Sequence, residues 1–79
     1  MGGKRSKTDI RERFGFALKT RREQLGLTQE DLAARAGIHR TYLSDVERGF
    51  RNISLLNIER LACALSLHLS ALFRLVEQH

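Results

Sequence analysis

Residues 27–49 read LTQEDLAARAGIHRTYLSDVERG, two short runs of helix-forming residues on either side of one glycine. Neither run is long enough to be a stable helix alone in water, so tertiary packing must hold both. In the first run Thr28 is placed to cap a helix, and Asp31 three residues on completes a capping-box pattern. That pattern predicts a helix from about Gln29 to Arg35. Gly37 then supplies a positive-φ conformation that a β-carbon would strain. A further helix, from about Arg40 to Arg48, buries Tyr42, Leu43 and Val46 before Gly49 closes it. Its outward face is Arg40, Thr41, Ser44, Asp45 and Arg48, polar throughout.

Helices are expected on both sides of this pair. From Ile10 to Leu25, apolar residues fall at Ile10, Phe14, Ala17, Leu18 and Leu25, a helical stripe that Gly26 ends. Phe16 stands off that stripe. After the loop FRN, Ser54 caps a fourth helix whose inner stripe is Leu55, Ile58, Leu61, Ala62 and Leu65. A fifth, from about Leu69 to Val76, carries Leu69, Leu72, Phe73, Leu75 and Val76. Its apolar residues occupy more than one face and Leu67 lies just before it, so the surplus fills the core or meets another subunit. The fold expected is all-α, five helices around one core. With 79 residues and 42% hydrophobic content the chain makes one domain, residues 10–79, behind a flexible basic N-terminal arm, residues 1–9. The arm is a solvated leader or a basic segment that touches DNA.

The net charge is +5, and the computed pI is near 10.4. Residues 1–22 hold eight basic against two acidic side chains, while the rest hold six basic and seven acidic, so the positive field is N-terminal. Such a balance suits an anionic partner, nucleic acid before membrane, because no apolar run approaches the roughly 18 residues that span a bilayer. No signal-peptide pattern is present, and a lone cysteine, Cys63, makes no internal disulfide; both fit a cytoplasmic protein. His39, His68 and His79 are dispersed and give no zinc spacing, so no metal and no cofactor is expected. His39 and His68 each stand near a helix start, suited to local capping or a phosphate contact. Cys63, on the Leu56 side of its helix, reads as a semi-exposed structural residue.

A short bracing helix, a glycine turn and a second helix with apolar anchors beneath and polar residues above have the geometry of a helix-turn-helix. Ala33 is the small residue where its helices cross. The outward polarity fits a surface on which base edges and phosphates replace water. The string RREQLGLTQEDLAARAGIHRTYLSDVERGFRNISLLNIERLACAL, residues 21–65, with LSALF at 69–73, resembles the lambda-repressor-like, Cro/C1-type helix-turn-helix family, also called XRE. The resemblance implies that Gln29 touches a phosphate, that the exposed side chains of helix three enter the major groove, and that Arg22 and Glu47 pair inside the domain. Within the family, HRTYLSDVERGFRNIS, residues 39–54, is similar to the small controller proteins of restriction-modification systems, which are dimers acting on operators. By that resemblance Arg40, Thr41 and Ser44 approach bases, and Tyr42, Arg51 and Asn52 lie near the backbone or groove edge. Two departures stand out. His39 replaces a capping Ser or Asp, and Asp45 adds a carboxylate to the reading face, where it either accepts from a cytosine amino group or repels phosphate.

Each candidate has a plainer alternative. Arg40 is a bidentate guanine reader or a solvated cation; Thr41 and Ser44 are base contacts or ordinary exposed hydroxyls. Arg48 is a phosphate contact or the partner of Asp45 or Glu47. The function expected is a homodimeric, sequence-specific transcription regulator of bacterial or phage origin on a pseudo-palindromic operator. Its partners are double-stranded DNA, a second copy through Leu69, Phe73, Leu75 and Val76, and RNA polymerase where it activates; no small-molecule ligand and no membrane is expected. The rivals are an antitoxin or phage-type repressor with the same domain, and a protein-interaction module without DNA. No paired carboxylates, nucleophile-base spacing or phosphate loop points to an enzyme.

Overall fold

Side-chain caps mark where three of the helices begin. The computed structural model describes residues 9–78, with α1 at Ile10–Gln24, α2 at Gln29–Ala36, α3 at Arg40–Glu47, α4 at Leu55–Ala64 and α5 at Leu69–Glu77, and no strand among the described residues. The fold is all-α. Thr28 Oγ1 accepts from the Asp31 backbone N–H and Asp31 Oδ2 from that of Thr28, both at 3.0 Å, so the capping box is complete. Ser54 Oγ accepts from the Asn57 N–H at 3.1 Å. Residues 1–8 and His79 lie outside the described residues, and with them the arm's Lys4, Arg5 and Lys7. Asp9, read from sequence as the end of that arm, is instead the N-cap of α1. Its carboxylate accepts from the Arg11 guanidinium and backbone N–H, which together hold its pKa down to about 2.

Left-handed residues set where helices stop. Gly26 at φ 73° and Gly37 at φ 70° each turn the chain, and the next N–H bonds back into the helix, Leu27 to the Arg22 carbonyl and Ile38 to that of Ala33. The α4–α5 turn repeats this geometry, with Leu67 N–H on the Ala62 carbonyl at 2.9 Å, but places a serine, Ser66, at φ 59°.

Leu18, Leu32, Leu43, Leu61, Leu65 and Leu72 are fully buried and form the centre of one core. Around it α1 packs on α3 and α5, α2 on α3 and α4, and α4 on α5. Phe14 and Phe73 tie α1 to α5 with ring centroids 6.3 Å apart. The α1–α3 crossing depends on Gly15, where a β-carbon would lie 2.4 Å from the Val46 carbonyl oxygen and 2.5 Å from that of Glu47. Sequence reading passed over this glycine.

Some expected core positions are corrected. Ile10, Leu25 and Leu55 are exposed, Leu55 at 75%. All three stand at the ends of their helices, where an apolar stripe runs past what its neighbours cover. Val76 departs in the opposite sense. Four residues after Leu72 on the same inward face, it is 1% exposed and belongs to the core, so it is not available to a second subunit.

Candidate nucleic-acid interface

α3 is held from beneath by a charged network as well as by Leu43 and Val46. Arg22, on α1, donates from Nε to Glu47 Oε2 at 2.7 Å, from Nη2 to Glu47 Oε1 at 3.1 Å, and from Nη1 to the Leu27 carbonyl at 2.8 Å. Gln29, at the start of α2, donates from Nε2 to Glu47 Oε1 at 3.0 Å. Arg22 and Glu47 are both buried, and the carboxylate bonds raise the Arg22 pKa above its ordinary value. The pair implied by the resemblance is therefore present, and it fastens α1, the α1–α2 turn and α2 to the last residue of α3. The Gln29 amide has a second N–H beyond the one it gives to Glu47.

Above this base the polar face is arranged in pairs. Arg40 Nε lies 3.2 Å from Glu30 Oε2 of α2, both side chains mostly exposed, so the pairing is weak and releasable. Thr41 is exposed and Ser44 half-buried beside it. His39 is the N-cap of α3 without a side-chain cap bond, and His68 stands in the same way before α5. Local capping, one role considered for both histidines, is not what they do. Arg48 pairs with Asp45, Nη2 to Oδ1 at 3.2 Å, rather than with Glu47, whose oxygens are taken by Arg22 and Gln29. Asp45 Oδ2 also receives Arg51 Nε at 3.4 Å.

Tyr42 is half-buried, with the Arg51 guanidinium carbon 5.2 Å above its ring and its hydroxyl accepting from Asn57 Nδ2 at 3.3 Å. Arg60 Nη1 in turn donates to Asn57 Oδ1 at 3.3 Å. Asn57 and Arg60 thereby join Tyr42 and Arg51 around a groove of about 490 Å³ beside the start of α3. Sequence reading missed both. The available signal was the spacing of Asn57 and Arg60, three apart on a helix whose one other polar residue is Glu59. Asn52 is exposed in the loop that follows α3, as is Phe50, whose ring lies under Arg48 at 4.7 Å.

Elsewhere, Cys63 is exposed, and no group of three or more His, Cys, Asp or Glu among the described residues is placed to hold a metal ion. No single helix among them is long and apolar enough to cross a membrane. Of the other residues expected at the subunit contact, Leu69 is exposed, and Phe73 and Leu75 are half-buried against the core. One apolar surface open to solvent is a groove of about 330 Å³ lined by Leu55, Leu56, Glu59 and Leu69, where the start of α4 meets the start of α5; Ile10, Phe16, Leu25 and Phe50 are exposed elsewhere.

A family model described as helix-turn-helix, HTH_3, matches residues 18–72. The chain is 45% identical over 71 residues to the control protein C.MunI of Mycoplasma sp, covering 89% of this chain and 96% of that protein. Among solved structures it is similar to the restriction-modification controller protein C.AhdI of Aeromonas hydrophila, with 46% identity, a TM-score of 0.78, and 80% and 96% of the two chains covered. The restriction-modification controller protein C.Esp1396I, solved as a tetramer in complex with its natural 35 base-pair operator, matches with 29% identity, a TM-score of 0.84, and 91% and 95% coverage. These matches span the bracing helix, the glycine turn, α3 and the helices that hold them. The chain belongs to the Cro/C1-type helix-turn-helix family, and within it is similar to the small controller proteins of restriction-modification systems.

Proposed function

We propose that the protein is a sequence-specific DNA-binding transcription regulator of the controller type that acts as a homodimer on a pseudo-palindromic operator. The observation that carries this reading is α3 itself. Its inner face is fixed by Leu43, Val46 and the buried Arg22–Glu47 pair, while Arg40 and Thr41 are exposed and Ser44 is half-buried beside them. A helix held this rigidly can enter a major groove and present those side chains to base edges. The relative C.Esp1396I, solved on its operator, supports the choice of DNA as partner. A single domain reaches only a few base pairs, so affinity and specificity require two copies on one DNA face. The apolar surface at Leu55, Leu56 and Leu69 is the one we assign to the second copy. The protein acts in the bacterial cytoplasm, on the nucleoid, and meets RNA polymerase where it activates.

The test is selection of bound duplexes from a randomised pool, followed by titration of the selected duplex and a scrambled control at two salt concentrations. An inverted repeat with half-sites about one helical turn apart is expected. If selected and scrambled duplexes bind alike and fade together with salt, basic charge alone accounts for binding and the reading fails.

A further inference from the structure

We infer that Asp45 is a positioning residue for specificity, pinning Arg48 and Arg51 so that neither is free to bind phosphates irrespective of sequence. The inference rests on the proposed DNA-binding function. Each oxygen of the Asp45 carboxylate faces a different guanidinium, Oδ1 that of Arg48 at 3.2 Å and Oδ2 that of Arg51 at 3.4 Å. Each guanidinium also lies on its own aromatic ring, Arg48 on Phe50 at 4.7 Å and Arg51 on Tyr42 at 5.2 Å. The Tyr42 ring is held in turn by its hydroxyl, which accepts from Asn57 of α4, and the Phe50 backbone is placed by its N–H, which donates to the Asp45 carbonyl at 2.9 Å.

Burial shows which group is beneath and which above. The Asp45 side chain is 22% exposed, against 59% for Arg48 and 51% for Arg51. The carboxylate is thus a floor under two outward cations rather than a group presented to the groove. A single exposed ion pair holds little, but one carboxylate shared by two ring-seated guanidiniums is a network in which each contact restricts the others. Arg51 binds Asp45 through Nε, so both of its Nη groups remain as donors for another partner.

This arrangement bears on specificity because specificity is a difference between two affinities. A long, unrestrained arginine finds a phosphate on any duplex and strengthens every complex about equally. Two arginines sharing one carboxylate carry a net charge of only +1 at this corner and keep one direction, so random DNA gains less than a site whose backbone lies where they point. The two roles first considered for Asp45 fit the geometry less well. Accepting from a cytosine amino group requires the ion pairs to open, and repulsion of phosphate is offset by two cations that stand closer to the solvent.

The test uses the whole chain, the duplex selected from the random pool, and its scrambled control. D45N keeps the side chain's shape and removes its charge. Its melting temperature is expected to stay near that of the unmodified protein, while scrambled-duplex affinity rises on the order of tenfold and the salt slope on that duplex steepens by about one to two. Affinity for the selected duplex should change by less than about threefold, so the ratio of the two falls. D45E, which keeps the charge, is expected to retain most of the ratio. In an R48Q/R51Q background D45N should leave the ratio within about twofold, because its partners are gone.

Unchanged ratio and slope in D45N would overturn the inference. So would an equal D45N effect in the R48Q/R51Q background, which makes the charge act on DNA directly, or a loss confined to one base pair of the selected duplex, which makes Asp45 a base reader. An unmodified protein that shows no preference for any duplex overturns the DNA-binding reading and this inference with it.

Discussion

Glu47 ends α3, and its two oxygens take three hydrogen bonds, two from Arg22 and one from Gln29. Replacing it with alanine strands a buried guanidinium and frees the Gln29 amide. E47A is expected to cost about 3 kcal/mol in urea unfolding, whereas R22M/E47L, which removes both charges, should recover most of that loss. An E47A protein as stable as the original would mean that water compensates Arg22 and that the pair holds nothing. Gly15 sets a second constraint, steric rather than electrostatic. The β-carbon of G15A would meet two backbone oxygens of α3, which cannot rotate away, so α3 must move off α1. Overpacking of this kind costs about 3 kcal/mol, only partly offset by roughly 1 kcal/mol of better helix propensity. Thermal unfolding of G15A should therefore show a net loss, with operator affinity falling as well because α3 is the element displaced. Ser66 offers the opposite case. It holds at φ 59° a turn that Gly26 and Gly37 make without strain. S66G is expected to add about 0.5 to 1 kcal/mol, or roughly 3 to 6 °C in melting temperature, since relief of a left-handed side chain outweighs the extra freedom of the unfolded chain.

At the scale of the helices, the capping box of α2 makes a pH-dependent contribution whose sign follows from Asp31. Hydrogen bonds from the Thr28 backbone and hydroxyl lower its carboxyl below the ordinary 3.8. A depressed folded value means the stabilisation is fully present above 3.8 and is lost as pH falls through the lowered value. The gap in unfolding free energy between the original protein and D31N should accordingly persist at neutral pH and close in strong acid; a gap that does not vary with pH would remove the charge from the account. The same local chemistry explains which parts of the fold could be read from the chain. Thr28, Asp31 and Ser54 start helices, and Gly26, Gly37 and Gly49 stop them; these signals act over four residues or fewer, and the expected helix ends lie within one residue of those observed. Long-range contacts had no such signal. Nothing local to Gly15 marks it until α3 is placed against it, and nothing local to Asn57 and Arg60 beyond their spacing marks them until Tyr42 is brought against Asn57. Helical periodicity assigned Leu55 to the core because it marks a face but not how far along that face the neighbours extend. Glu30 as the partner of Arg40, and Asp45 as the shared partner of Arg48 and Arg51, depend on side chains brought together by the turns.

For the molecule as a whole, the question is which surface meets a second copy. A controller that reads two half-sites needs a face that leaves both α3 helices free, and the surface at Leu55, Leu56 and Leu69 is formed by α4 and α5, not by α3. Three large apolar side chains clustered in the open lose contact with water on pairing, a gain of about 25 cal/mol for each Å² covered. Leu56 is a suitable probe because it is exposed, so a charge there leaves the isolated fold's core intact. At micromolar concentrations the original protein is expected to sediment as a dimer and L56E as a monomer, with a melting temperature that no longer rises with concentration. Its helical content should be unchanged. V76E serves as the contrast: the same charge placed in the core should unfold the chain rather than separate two folded copies. On DNA, a monomeric L56E loses the second copy's contribution, so affinity for the selected duplex falls by a factor on the order of a hundred or more. The salt slope should drop to roughly half, since about half of the phosphate contacts are gone. If L56E still sediments as a dimer and binds undiminished, the two copies meet elsewhere, and the groove at the start of α4 is a surface without this role.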